Sequence, residues 1–205
     1  DPAMIDMFNA MVDEMFDYGR SILKSKRENP SDDLLSAIAN AKIDDKKLTD
    51  EFLDGSWLLI IFAGNDTTRN TMSGGIKLLH ENQSQKELLM QNLDLLPNFI
   101  NETVRCVSPV IHMRRTSLEE TEINGQRIGP YEKISLWYGA ANRDPDIFEN
   151  PDQFNILREN ADKHLAFGIG RHTCLGKPVA LMQLKEFYSQ FLTRFKDFEM
   201  NGDWK

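Results

Sequence analysis

A mainly α fold with a minor β-sheet is predicted by three features of this 205-residue sequence. Apolar side chains recur every three to four positions over residues 3–27, a second such run covers 49–81, and the period switches to alternation after residue 114. In the first helix Met4, Met7, Phe8, Met11, Val12, Met15 and Phe16 share one face. Pro30 ends it, and Ser31 caps a short helix over 31–41. Thr49 starts the long helix, which runs through Trp57, Phe62 and Leu78 to Glu81. Its interior is odd: Gly64, Thr67, Thr68 and Thr71 stand with Asn65 and Asp66 in an otherwise apolar run, where a purely structural helix would not place weak helix formers. Another helix spans 84–93, and Pro97, at a first-turn position, opens one over 97–107 that carries Phe99, Ile100, Thr103, Val104 and Val107. Strands are predicted over 115–122, 126–128 and 133–138, with turns at Asn124-Gly125 and Gly129-Pro130. Residues 142–163 read as a long irregular segment, and Pro178 starts a final helix with Leu184, Phe187, Tyr188, Phe191, Leu192 and Phe195 on one face.

Composition narrows the function. A net charge of −8 and a pI near 5.1 argue against a nucleic-acid partner, because such binding rests on Lys and Arg against phosphates. The longest apolar stretch, Trp57 to Ala63, is too short to span a bilayer, and the first residues carry no basic-then-apolar export signal. A cytoplasmic protein without a membrane anchor is expected. The two cysteines, Cys106 and Cys174, form no CxxC or Cys/His pair at zinc spacing, so neither a disulfide framework nor a zinc site is expected.

The sharpest local signal is FGIGRHTCLG, residues 167–176. Gly168 and Gly170 can adopt positive φ and bring backbone close to a flat ligand, and Cys174 lies just before a helix start, where the dipole favours a thiolate. The segment, from Phe167 to Gly176, is similar to the haem-binding signature of the cytochrome P-450 family. That resemblance implies haem b as cofactor, with Cys174 as the axial thiolate to the iron and Phe167, Gly168 and Gly170 shaping its loop.

Three further constellations fit the same family. Glu102 and Arg105 in ETVR share a helical face; read alone they are an ordinary solvated pair, but they resemble the family's ExxR helix, with Arg158 in FNILR as the implied third member of a structural triad. AGNDTT, residues 63–68, resembles the family's acid-alcohol pair. Small Ala63 and Gly64 let a haem approach, Thr67 is implied to hold the iron-bound peroxo group, and Asp66 with water to relay protons; a Thr67 hydroxyl bonded back one turn is equally compatible. Arg114 and His172 match propionate contacts, while Val110 and Ile111 line either the distal pocket or plain core.

The resemblance runs from about residue 1 to the end, so residues 1–205 are read as the C-terminal part of one cytochrome P-450 domain. The implied activity is insertion of one oxygen atom of O2 into an apolar substrate, fed by a ferredoxin-type redox partner and an NAD(P)H-dependent reductase. AGNDTTRNTMSGG together with HMRRT looks most like bacterial soluble hydroxylases of alkane and fatty-acid chain ends, with sterol and branched-lipid hydroxylases as the alternative. The family's N-terminal helices and sheet and its last hairpin have no counterpart here, so the isolated chain is expected to be an inactive fragment.

Overall fold

A computed structural model describes residues 2–199 and 201; residues 1, 200 and 202–205 of the predicted 1–205 domain lie outside the described residues. The chain divides into two compact units, Asp1–Asn65 and Asp66–Lys205.

The first unit holds α1 (Pro2–Glu28), α2 (Leu34–Asn40), the antiparallel ribbon of β1 (Lys42–Ile43) and β2 (Lys46–Lys47), and the first half of α3 (Asp50–Glu81). Leu23, Ala39, Leu53 and Trp57 form its core. Gly19 is required there, since a Cβ would lie 2.5 Å from the Trp57 ring, and the indole N–H donates to the Met15 carbonyl at 3.1 Å. One expectation needs correction. The α2 cap is Asp33, whose Oδ1 accepts from the Ser36 N–H at 2.8 Å, because the Ser31 hydroxyl donates to Asp33 Oδ2 instead. The ribbon was not foreseen; Asp44 and Asp45 make its turn with φ of 50° and 61°. The apolar stripe of α1 is buried only towards its C-terminal end, at Leu23, while Met4, Met7, Phe8 and Met11 are exposed.

In the second unit, α4 (Gln83–Gln91), a 3₁₀ turn at Leu93–Leu95 and α5 (Leu96–Val107) follow α3. Then come β3 (His112–Thr116), β4 (Thr121–Ile123), β5 (Gln126–Ile128), β6 (Lys133–Trp137), the single turn α6 (Tyr138–Ala141), a long meander and α7 (Lys177–Arg194). The core gathers Leu79, Leu89, Leu96, Phe99, Ile100, Val104, Phe154, Ile156, Leu184, Tyr188 and Leu192. Phe99 is its pivot, meeting Tyr188 edge-on at 4.8 Å and Phe154 at 6.2 Å. The second half of α3 packs close because Gly74 faces Val107 and Gly75 faces Tyr188, where a Cβ would stand 2.5 and 2.0 Å from the neighbour.

The predicted strand 115–122 is broken. Ser117 is buried, and its hydroxyl donates to the Gly129 carbonyl at 2.6 Å, which turns the chain between β3 and β4. The minor β structure is therefore three two-stranded ribbons, β1-β2, β3-β6 and β4-β5, with Arg114 opposite Ser135 in the second. Among the described residues, no helix is long and apolar enough to cross a membrane.

Candidate active site

The deepest polar feature is a charged triad. Glu102 lies on α5 with no exposed surface, and Arg105, one helical turn on, clasps it through Nε at 2.7 Å to Oε2 and Nη2 at 2.8 Å to Oε1. Arg158, in the meander, donates its Nε–H to the same two oxygens at 3.1 and 3.2 Å. The pair is thus not a solvated one. Both guanidinium groups also tie down main chain: Arg105 donates to the carbonyls of Asn142, Pro151 and Gln153, and Arg158 to those of Glu149, Asn150 and Gln153. The Phe148 ring lies 5.1 Å from one guanidinium and 6.0 Å from the other. Burial alone would lower the Arg105 pKa, but its bonds to Glu102 outweigh that and raise it.

Asn142, which sequence reasoning passed over, joins this triad to the cysteine loop. Fully buried, it donates to Ser108 Oγ at 2.8 Å and accepts the Leu165 N–H at 2.6 Å, while its carbonyl takes Arg105. From Leu165 the chain enters the loop. His164 is buried, its Nδ1 accepts the Ala166 N–H at 3.3 Å, and its ring lies against Phe167 at 5.5 Å. Burial, followed by the neighbouring Lys177 ammonium, lowers the His164 pKa to about 4, so it is a neutral acceptor.

The loop closes where the Cys174 N–H donates to the Phe167 carbonyl at 2.8 Å. Gly168 and Gly170 have φ of 68° and 70°, and a Cβ on Gly168 would sit 3.1 Å from the His172 carbonyl oxygen. Cys174 is a free thiol and exposed. Exposed beside it in sequence are large apolar side chains, Ile169, Leu175, Val179 and Met182. Large apolar side chains left exposed in one short segment are costly in water and suit an apolar ligand.

The other predicted residues are more scattered. On α3, Asp66 is exposed and accepts from Asn70 Nδ2 at 3.1 Å, Thr67 is half-buried, and the Thr71 hydroxyl bonds back to the Thr67 carbonyl at 2.8 Å. Ala63 and Gly64 are exposed in the first unit's part of the helix, and a Cβ at Gly64 would meet nothing within 4 Å. Arg114 on β3 and His172 in the 3₁₀ turn Gly170–His172 are both exposed. Val110 is half-buried and Ile111 is 66% exposed, so core packing does not account for Ile111. Cys106 is half-buried beside Glu102, and burial pushes its thiol up to about 11. Arg143 holds the Cys106 carbonyl at 2.9 Å and pairs with Asp152.

The family model for cytochrome P450 matches residues 2–203. The chain belongs to the cytochrome P450 family. Linalool 8-monooxygenase from Pseudomonas putida is 37% identical over 93% of the chain and 47% of that protein. Among solved structures, CYP109E1 from Bacillus megaterium in complex with testosterone superposes with a TM-score of 0.90 at 33% identity, covering all of this chain and 56% of that one. P450BioI in complex with an acyl carrier protein carrying hexadec-9Z-enoic acid gives 0.87 at 32% identity, over 96% and 50%. The chain spans about half the length of the curated relatives it matches. The fold is accordingly that of part of a cytochrome P450.

A P450 implies haem, and the residues fit one. An exposed thiol on a glycine loop can give one soft ligand to the iron of a porphyrin, which brings its other ligands with it, and the exposed apolar side chains near it in sequence suit an apolar macrocycle.

Proposed function

We propose that the protein to which this chain contributes is a haem-thiolate monooxygenase carrying haem b. It converts an apolar substrate R–H, with O2, two electrons and two protons, to R–OH and water. The observation that carries this reading is the exposed Cys174 thiol on a glycine-shaped loop held to a buried Glu-Arg-Arg triad. When bound, the haem supplies the iron at which O2 is activated, with electron density pushed from the thiolate.

The protein's own residues hold and feed that centre. Cys174 supplies the anionic ligand, and Phe167, Gly168 and Gly170 fix its loop. Arg114 and His172 donate to the propionates. Asp66 with water would relay protons to the reacting oxygen, which Thr67 Oγ1 would hold by a hydrogen bond. Glu102, Arg105 and Arg158 lock the meander and take no part in proton transfer. Val110 and Ile111 offer apolar contact without charge, so the substrate is largely hydrocarbon, with alkanes and fatty acids oxidised near the chain end as first choice. The hexadecenoyl ligand in the P450BioI complex supports that class. The testosterone in the CYP109E1 complex favours a second reading, hydroxylation of a sterol or branched lipid. Electrons arrive from a ferredoxin-type partner and an NAD(P)H-dependent reductase, in the cytoplasm. The 205 residues alone take up little haem and turn over nothing.

The test is spectroscopic. In a protein completed to the length of its relatives, the reduced carbon monoxide adduct should show the long-wavelength Soret band of a thiolate ligand, and Cys174→His should abolish it while Cys106→Ser does not. Persistence of the band in Cys174→His would end the assignment. Thr67→Ala should keep the band and divert reducing equivalents to hydrogen peroxide, and Asp66→Asn should slow turnover.

A further inference from the structure

We infer that Tyr188 is a positioning residue for Thr67, acting through the backbone of α3, an inference that rests on the oxygen-activating role given to Thr67 above. Tyr188 is fully buried on α7, and its hydroxyl donates to two consecutive α3 carbonyls, Thr71 at 2.8 Å and Met72 at 3.1 Å. Those carbonyls belong to a continuous helix, whose regular acceptors lie four residues before each N–H, and the Gly75 N–H also meets the phenol. An outside group inserted at the helix ladder in this way shares its bonds and holds the local course of the backbone.

Packing does not require that hydroxyl. The Tyr188 ring already makes its edge contact with Phe99 at 4.8 Å, and phenylalanine would make the same contact. Room for the hydroxyl exists only because residue 75 is glycine, since a Cβ there would lie 2.0 Å from the oxygen. The phenol is a permanent donor, because burial raises its pKa far above the ordinary value.

Thr71 extends the link. Its carbonyl accepts from Tyr188, and its own hydroxyl donates to the Thr67 carbonyl at 2.8 Å. Back-bonding of this kind bends helices at the acceptor. Two hydrogen bonds thus run from α7, whose first residue comes three positions after Cys174, to the turn of α3 that begins at Thr67. Everything in this chain of bonds lies within residues 66–205. The helix that leaves the thiol loop therefore sets the placement of the Thr67 hydroxyl.

The experiment uses the full-length holoenzyme and compares wild type, Tyr188→Phe, Thr67→Ala and the double variant. Tyr188→Phe should keep haem content and the thiolate Soret band. Amides of the 67–76 segment should exchange about fivefold faster, the ratio for loss of one hydrogen bond of ordinary worth. The fraction of electrons lost as hydrogen peroxide should rise severalfold in Tyr188→Phe, yet adding that change to Thr67→Ala should alter nothing further, because Tyr188 acts only through Thr67. Unchanged exchange and coupling in Tyr188→Phe, or additive peroxide loss in the double variant, overturns the inference. If Tyr188→Phe fails to assemble, Thr71→Val, which cuts the second bond and keeps the shape, is judged by the same two readouts. Normal coupling in Thr67→Ala itself would instead strike the reading of Thr67, a separate outcome.

Discussion

Replacing Glu102 by Ala is the most informative perturbation of the frame. The carboxylate accepts from Arg105 Nε and Nη2, from Arg158 Nε and from the Asn155 N–H at 3.0 Å, all in a region closed to water. Removing it strands two guanidinium groups, which keep their carbonyl partners and, for Arg105, the Cys106 Sγ at 3.3 Å. Breaking one buried pair costs about 3–5 kcal/mol, and the surviving carbonyl bonds argue against doubling that for the second arginine. At 1.36 kcal/mol per tenfold, the folding equilibrium should move by about 10²- to 10⁴-fold, a large share of the usual 5–15 kcal/mol. Denaturant unfolding measures the loss, and hydrogen exchange locates it, since amides of residues 149–158 should open first. Glu102→Gln, which keeps volume and one acceptor, should fall between Ala and wild type. The holoprotein should accumulate as apoprotein, because the meander and the cysteine loop share the triad. A loss below about 1 kcal/mol with normal haem content would mean that the triad is worth no more than a surface pair.

Other consequences are open to measurement. Asn142→Ala leaves the Leu165 N–H without its acceptor and takes the donor from the Ser108 hydroxyl, and should cost about 1–3 kcal/mol in denaturant unfolding; a value near zero would remove Asn142 from the frame. Gly168→Ala should weaken the thiolate Soret band more than Gly170→Ala. Both force positive φ on an L residue, at about 1–2 kcal/mol, but only the first also drives a Cβ against the His172 carbonyl. For His164, the folded pKa of about 4 lies below the ordinary 6.5, so its contribution to stability is complete above pH 6.5 and is lost as pH falls towards 4. The span corresponds to at most about 3 kcal/mol, and His164→Gln should flatten that part of the stability-pH curve; an unchanged slope would show that other groups cause it.

What could be read from the sequence follows the range of the interactions involved. The helices were legible because their apolar spacing and Pro97 and Pro178 are local signals, and α3, α5 and α7 begin within one residue of where these place them. The cysteine loop was legible because its glycines and thiol are contiguous. Glu102 and Arg105 look, by spacing alone, like any exposed pair; their burial depends on carbonyls 37 and 46 residues further along, and only the likeness to a family pointed there. Asn142 left no local trace at all, since its partners Ser108 and Leu165 stand 34 and 23 residues away. The break at Ser117 was hidden for the same reason: alternation continues through it, while the bonds that end the strand come from Gly129 and Glu132.

The stretch from Asn142 to His164 contains almost no regular structure, yet it does not have the freedom of a surface loop. Five of its carbonyls are capped by guanidinium groups, and Phe148, Phe154 and Ile156 are buried. Loops normally accept insertions, nicks and new termini because nothing distant depends on their path. Here a residue added between 142 and 158 would pull carbonyls out of reach of Arg105, fixed on α5, or of Arg158, held by the same Glu102. In a screen of insertion sites, in limited proteolysis or in a split-protein design, this segment should behave as a forbidden zone, while the Asn124-Gly125 tip, where a Cβ on Gly125 would meet nothing within 4 Å, should accept cargo.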